Sequence, residues 1–269
     1  MTKAIFFDID GTILDAVGGI YNIRPNVRNA IKKLQATGNL IFIATGRPYA
    51  FLQREILNFG FDGFIMCNGA VVLIGDKIIY QHTLEKSDVK KIISMAISSN
   101  LEYMLEDYPL TYTKKDFQAC HEFFGRASAD MNKISYDFDL DKIAVSKIEC
   151  TTNSPDPETT YKAYKEILNL PGFTGWADPF HFKMLEVYAK DISKATGIEK
   201  VLEHFNIPVE NSYAFGDGRN DFEMMKAVGC GMAMGTGSDD FKRTAKYVVP
   251  SVFDDGVAYG IEKYILGAD

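Results

Sequence analysis

Short, wholly apolar runs alternate along this chain with longer stretches in which apolar residues recur every three to four positions. Ala4–Phe7, Leu40–Ala44 and Gly63–Cys67 are continuous apolar runs, the pattern of strands buried on both faces. Between them, Pro25 opens a segment carrying Val27, Ala30, Ile31 and Leu34 at helical spacing, and Gly38 closes it. Tyr49–Phe59 is expected as a second helix. This β-α-β-α-β rhythm predicts a parallel sheet with helices on both faces.

The rhythm then breaks. Val71–Ile74 and Lys77–Tyr80 flank Gly75-Asp76, a hairpin turn signal. A helix over Ser87–Ser98 follows, then strands near Leu101–Glu106 and Lys142–Glu149, helices near Asp116–Phe124 and Glu158–Leu168, and a strand near Phe180–Tyr188. From Ser193 the first rhythm returns. A helix carries Ile198, Val201, Leu202 and Phe205; strands fall at Ser212–Phe215, Gly231–Met234 and Tyr247–Val249; helices fall at Asp221–Ala227, after Gly235-Thr236-Gly237-Ser238, and from Gly256. The expected fold is α/β: a Rossmann-like, doubly wound parallel core over 1–81 and 189–269, interrupted by an α+β insertion over 82–188.

Composition narrows the class. The chain has 269 residues, 46% of them hydrophobic and 24% charged, ordinary values for a globular protein. A net charge of -7 argues against nucleic acid or an anionic membrane as the main partner. No apolar run reaches membrane-spanning length, and the start at Met1-Thr2-Lys3 reads as the lead into a strand, not a signal peptide. Cys67, Cys120, Cys150 and Cys230 are scattered without a CxxC pair, which suggests buried thiols in a cytoplasmic protein.

Four stretches carry candidate chemistry. Ligands of open parallel sheets bind at the carboxyl ends of strands, and Asp8, Thr45 and Asp217 each stand at or just past such an end. In Asp8-Ile9-Asp10-Gly11-Thr12, side chains two apart in an extended segment point the same way, so one aspartate can attack while the other handles a proton. The same string also suits a surface turn. Thr45-Gly46-Arg47 places a hydroxyl and N–H groups at a helix start, suited to a phosphate oxygen or to simple capping by Thr45. Lys194 offers a compact charge for a phosphoryl group; taken alone it reads as a solvated surface lysine. In Gly216-Asp217-Gly218-Arg219-Asn220-Asp221, Asp217 suits Mg²⁺, Asn220 a phosphate or the nucleophile, and Asp221 support of the metal shell. The EF-hand register is missing.

Taken together and in this order, the stretches resemble the haloacid dehalogenase superfamily, in its Cof-type sugar-phosphatase branch. The matching residues are Phe6-Phe7-Asp8-Ile9-Asp10-Gly11-Thr12, Ile43-Ala44-Thr45-Gly46-Arg47, Asn68-Gly69-Ala70, Ser193-Lys194-Ala195-Thr196-Gly197-Ile198 and Phe215-Gly216-Asp217-Gly218-Arg219-Asn220-Asp221. The resemblance implies that Asp8 is the nucleophile and Asp10 the general acid/base. It implies that Thr45, Gly46, Lys194 and Asn220 hold the phosphate. It gives Mg²⁺ to Asp8, the backbone carbonyl of Asp10 and Asp217, with Asp221 and Arg47 behind them. Ala195 replaces a frequent glycine. The insertion sits where that branch carries an α/β cap, which would close over the site and exclude water. His181, Lys183, Trp176 and Tyr112 are candidates for substrate selection as polar or stacking groups within the insertion, although Trp176 and Tyr112 suit the insertion's own core better. The implied activity is Mg²⁺-dependent hydrolysis of small phosphorylated metabolites, hexose or related sugar phosphates, by a monomer or small homo-oligomer. Alternatives are a phosphomutase or phosphotransferase of the same superfamily, or a non-catalytic module that binds a phosphate ligand.

Overall fold

The computed structural model describes residues 1–178 and 183–267. Two compact units are present: residues 1–46, 54–80 and 193–269 form the first, and 47–53 with 81–192 the second.

The first unit is built on one sheet. Its strands are β1 (Ala4–Phe7), β2 (Leu40–Ala44), β3 (Gly63–Met66), β4 (Val71–Ile74) and β5 (Lys77–Gln81). After the insertion come β12 (Ser212–Gly216), β13 (Cys230–Met234) and β14 (Tyr247–Val249). Their order is β14-β13-β12-β1-β2-β3-β4-β5, parallel from β14 to β3 and antiparallel where β4 meets β3. Every residue of β1 is fully buried, as its unbroken apolar run predicts. On one face Phe6, Phe42, Ala44 and Ile65 meet α6 (Lys194–Phe205) through Ile198, Val201 and Leu202, and α7 (Phe222–Ala227) through Met224 and Met225. On the other face, Phe7 stacks on Phe215, and α1 (Pro25–Ala36) packs beside α9 (Gly256–Gly260). Pro25 starts α1 at a position needing no N–H, and Gly38 takes φ 77° just after it.

The second unit holds β6 (Glu102–Glu106), β7 (Thr111–Tyr112), β8 (Ile134–Ser135), β9 (Lys147–Thr151), β10 (Phe173–Ala177) and β11 (Met184–Ala189), in the order β10-β11-β9-β6-β7-β8. It also holds α3 (Lys86–Ser98), α4 (Gln118–Ala127) and α5 (Pro157–Leu168). Along β9, Ile148 and Cys150 alternate with Lys147 and Glu149, yet all four are buried. Lys147 Nζ lies 2.9 Å from Glu106 Oε2, 2.7 Å from Glu186 Oε1 and 3.7 Å from Glu149 Oε2. One cation thus serves three carboxylates inside this sheet.

Several expectations are corrected. Tyr49–Phe59 is not one helix: a single turn at Tyr49–Phe51 is followed by extended Leu52 and then by α2 (Arg54–Asn58). The break has a packing cause. Ala50 and Phe51 join Met104, Cys120, Phe124 and Ile134 in the core of the second unit, whereas α2 belongs to the first. Residues 47–53 therefore leave the 1–81 segment to which the sequence pattern assigned them. The strand expected over Lys142–Glu149 occupies Lys147–Thr151. The one expected over Phe180–Tyr188 occupies Met184–Ala189, with residues 179–182 outside the described residues. No described helix is long and apolar enough to cross a membrane.

Candidate active site

The parallel register sets the site. Phe7 in β1 pairs with Phe215 in β12 and with Ile43 in β2, so the three adjacent strands end together. Asp8, Thr45 and Asp217 emerge from those ends. The Asp8 N–H donates to Phe215 O at 3.0 Å, and the Thr45 N–H to Ile65 O at 2.8 Å, which holds both just past the sheet.

Lys194 is brought in from the insertion's far end. It is the first residue of α6, where the Ser193 N–H donates to Thr196 Oγ1 at 3.3 Å and the Thr196 N–H to the Ser193 carbonyl at 3.0 Å. Two glycines let the helix approach so closely. A Cβ on Gly197 would stand 2.3 Å from Ile65 Cγ2, and one on Gly69 1.9 Å from the Ser193 carbonyl oxygen. The Lys194 ammonium donates to Asp8 Oδ1 at 2.5 Å and to Asp221 Oδ1 at 2.6 Å. It is fully buried, so the surface lysine that the local sequence suggests is not what forms. Burial alone would push its pKa down; Asp221 and Asp8 reverse this and hold it above the ordinary lysine range.

Asp221 is also fully buried. Its other oxygen, Oδ2, accepts the N–H groups of Asp217 and Gly218 at 3.0 Å each. The loop carrying Asp217 is thereby folded around the Asp221 carboxylate. Gly11, at φ +79°, lies against Asp217: a Cβ there would be 2.1 Å from Asp217 Oδ2. Burial pushes the Asp8 carboxyl well above its ordinary range, Lys194 opposes this, and Asp221, Asp217 and Asp10 add to it. Asp217 is pushed up to about 7, chiefly by burial and then by Asp221. Asp10 is exposed at the same place and raises both neighbours.

Asp8, Asp217 and Asp221 can bring one oxygen each to within 4.8 Å of one another. Asp221 has both oxygens engaged, which leaves Asp8 and Asp217 as the carboxylates suited to a cation. The donor set fits Mg²⁺, an all-oxygen ion that relieves crowded buried carboxylates. Asn220 Nδ2 donates to Asn68 Oδ1 at 3.0 Å, next to Gly46. Asp8, Asp10, Thr45, Gly46, Lys194, Asp217, Asn220 and Asp221 all lie in the first unit; Arg47 lies in the second, where its guanidinium donates to Phe51 O at 3.0 Å. Asn68 was visible in the sequence only as part of a motif. The signal that could have singled it out is the Asn-Gly pair, which favours positive φ.

Of the insertion residues considered for selection, His181 lies outside the described residues. Lys183 donates to Ser154 O at 2.8 Å, Trp176 stands in β10 opposite Glu186, and Tyr112 packs on Phe138.

The model of the haloacid dehalogenase-like hydrolases matches residues 5–261, and the chain belongs to that family. YkrA of Bacillus subtilis (strain 168) is 32% identical over 266 residues, covering 97% of each chain. The 5-amino-6-(5-phospho-D-ribitylamino)uracil phosphatase YitU of the same organism is 26% identical, over 97% of this chain and 96% of that protein. The solved haloacid dehalogenase subclass IIB sugar phosphatase BT4131 is 26% identical, with a TM-score of 0.82 over 98% of this chain and 99% of that one. The fold is the Rossmann-like core of this superfamily with a cap domain, and the protein is a phosphatase of that type.

Proposed function

We propose that this phosphatase hydrolyses small phosphorylated metabolites, sugar phosphates of hexose type foremost, with Mg²⁺ and through an aspartyl-phosphate on Asp8. The observation that carries the reading is the buried ion pair of Lys194 with Asp8 at the end of β1, beside Asp217. It sets a nucleophilic carboxylate and a cation side by side where an entering phosphoryl group needs both.

The chain's own residues account for the steps. Asp8 Oδ attacks phosphorus, and the bond to the ester oxygen breaks as Asp10 gives that oxygen a proton. Lys194, the Thr45 hydroxyl, the Gly46 N–H and Asn220 take the phosphoryl oxygens. Asp10 then removes a proton from water, which attacks the aspartyl-phosphate, releases inorganic phosphate and restores Asp8. Mg²⁺, held by Asp8, the Asp10 carbonyl and Asp217, would offset the repulsion between the Asp8 carboxylate and the phosphate dianion. Asp221 keeps Lys194 and the Asp217 loop in place. The four free, buried cysteines suit a cytoplasmic setting.

The test is a screen of phosphorylated metabolites with Mg²⁺, measuring phosphate release with no acceptor sugar present. Release from sugar phosphates, abolished in Asp8→Asn, is the expected result. Turnover only when an acceptor sugar is added would make the protein a phosphotransferase, and substantial turnover by clean Asp8→Asn protein would remove Asp8 as the nucleophile.

A further inference from the structure

Behind the strand ends, between β3 and β4, the backbone makes an unusual corner. Cys67, Asn68 and Gly69 take φ of 51°, 55° and 102° in succession. Only glycine adopts such angles freely, and a run of three is strained structure that the surroundings must hold in place. Here they do. Gly69 is pressed against the Ser193 carbonyl, one residue before Lys194. The Asn68 N–H donates to Thr45 O at 3.1 Å. The corner is therefore tied at once to the Thr45 turn and to the start of α6.

What the corner presents is the Asn68 carboxamide, in a side chain 1% exposed. Its Oδ1 accepts from Asn220 Nδ2 at 3.0 Å. Its own Nδ2 is buried with no hydrogen-bond partner. A Cβ on Gly46 would stand 2.8 Å from Asn68 Oδ1 and 3.3 Å from Asn220 Nδ2, so the amide pair lies directly on the bare Gly46 backbone. A buried amide donor left unmatched is costly unless something takes it up. Against Gly46 and Asn220, and one residue before the Gly69 that packs on the Lys194 backbone, an anionic oxygen is the acceptor that fits.

We propose that Asn68 is a further residue of the phosphate site, fixing the Asn220 amide through Oδ1 and offering Nδ2 to a phosphate oxygen. This rests on the phosphatase reading of the same site. It also gives the strained corner a purpose: the positive φ values accompany an amide held against Gly46 and Asn220.

Two variants and one ligand test it. Asn68→Gly keeps a residue at ease with positive φ but removes the amide. Asn68→Asp keeps an acceptor for Asn220 and replaces the donor by a negatively charged oxygen. The measurements are calorimetric binding of inorganic phosphate with Mg²⁺ present, KM and kcat for nitrophenyl phosphate, and Tm. Losing a hydrogen bond to a charged group corresponds to roughly 10–100-fold in affinity. Asn68→Gly is expected to weaken phosphate binding and raise KM within that range at near-native Tm, and Asn68→Asp to weaken both further. The double variant Asn68→Gly with Asn220→Ala is expected to lose less than the product of the two single losses, because the residues act together. Phosphate binding within twofold of wild type in both Asn68 variants overturns the proposal, as do strictly multiplicative losses in the double variant. Wild-type protein that binds phosphate but hydrolyses no ester would overturn the functional reading and leave the Asn68 result standing. Wild-type protein that binds no phosphate overturns both.

Discussion

Lys194 and Asp221 meet at 2.6 Å where neither side chain touches solvent. A buried ion pair is close to neutral in net worth, but removing one partner strands the other. Here Lys194 also answers Asp8, so its loss strands two carboxylates. Lys194→Met is expected to cost about 3–5 kcal/mol of folding stability and to abolish turnover. Chemical denaturation and an assay on the same preparation check both. A variant that loses activity at unchanged stability would show the lysine serving catalysis alone.

The contact between Gly11 and Asp217 makes a separate claim about metal. Gly11→Ala would have to hold alanine at φ +79° with its Cβ 2.1 Å from Asp217 Oδ2, so Asp217 must move. The expected outcome is at least a tenfold rise (about 1.4 kcal/mol) in the Mg²⁺ concentration giving half-maximal activity. Asp217→Ala should lower activity further, and EDTA should inhibit the native enzyme. Full activity after stringent chelation would make the magnesium assignment wrong.

Asp10 is tested by its leaving-group dependence. Asp10→Asn should slow both leaving-group protonation and water activation, by about 10²–10⁴-fold each. The deficit in forming aspartyl-phosphate should shrink with nitrophenyl phosphate compared with a sugar phosphate, since nitrophenolate needs little protonation. The covalent species should accumulate, because its hydrolysis still needs Asp10. Rapid quenching with both substrates reads this directly. Equal deficits and no trapped phosphoprotein would take the acid/base role from Asp10.

The charged cluster of the second unit predicts a pH dependence of stability. Burial, then Glu106, pushes the Glu149 carboxyl well above its ordinary range, against the pull of Lys147. Between the ordinary carboxylate value, about 4.3, and the raised one, the folded state holds a proton that the unfolded state has lost. Stability therefore falls as pH climbs through that window and is greatest below it. Glu149→Gln removes the charge at nearly constant shape. It should raise Tm by a few degrees at pH 8, have little effect at pH 4.5, and flatten the slope between. An unchanged slope would place the proton elsewhere.

The strands were readable because buried parallel strands leave continuous apolar runs, and β1, β2 and β12 carry them with a polar residue at each end. The same ends drew attention to Asp8, Thr45 and Asp217. Local sequence could not show that Lys194 is buried, because Gly69 and Gly197 create its place by packing against Ser193 and Ile65, far away in the chain. Nor could it show the break at Leu52, where a helix-compatible run is divided between two cores. The burial of Lys147 and Glu149 was illegible for a related reason. A charged alternation normally marks an exposed face, and the partners that make burial tolerable come from β6 and β11.

Residues 47–53 have a consequence for engineering. The chain passes between the two units four times, after Gly46, Gln53, Tyr80 and Ile192. A chimaera that grafts only the continuous 81–192 block onto a foreign scaffold would leave Ala50 and Phe51 behind, and with them part of the apolar cluster around Met104, Cys120 and Phe124. Such a graft would carry an open hydrophobic seam and tend to aggregate. A workable exchange of the second unit of this chain must move the seven-residue loop together with the larger block.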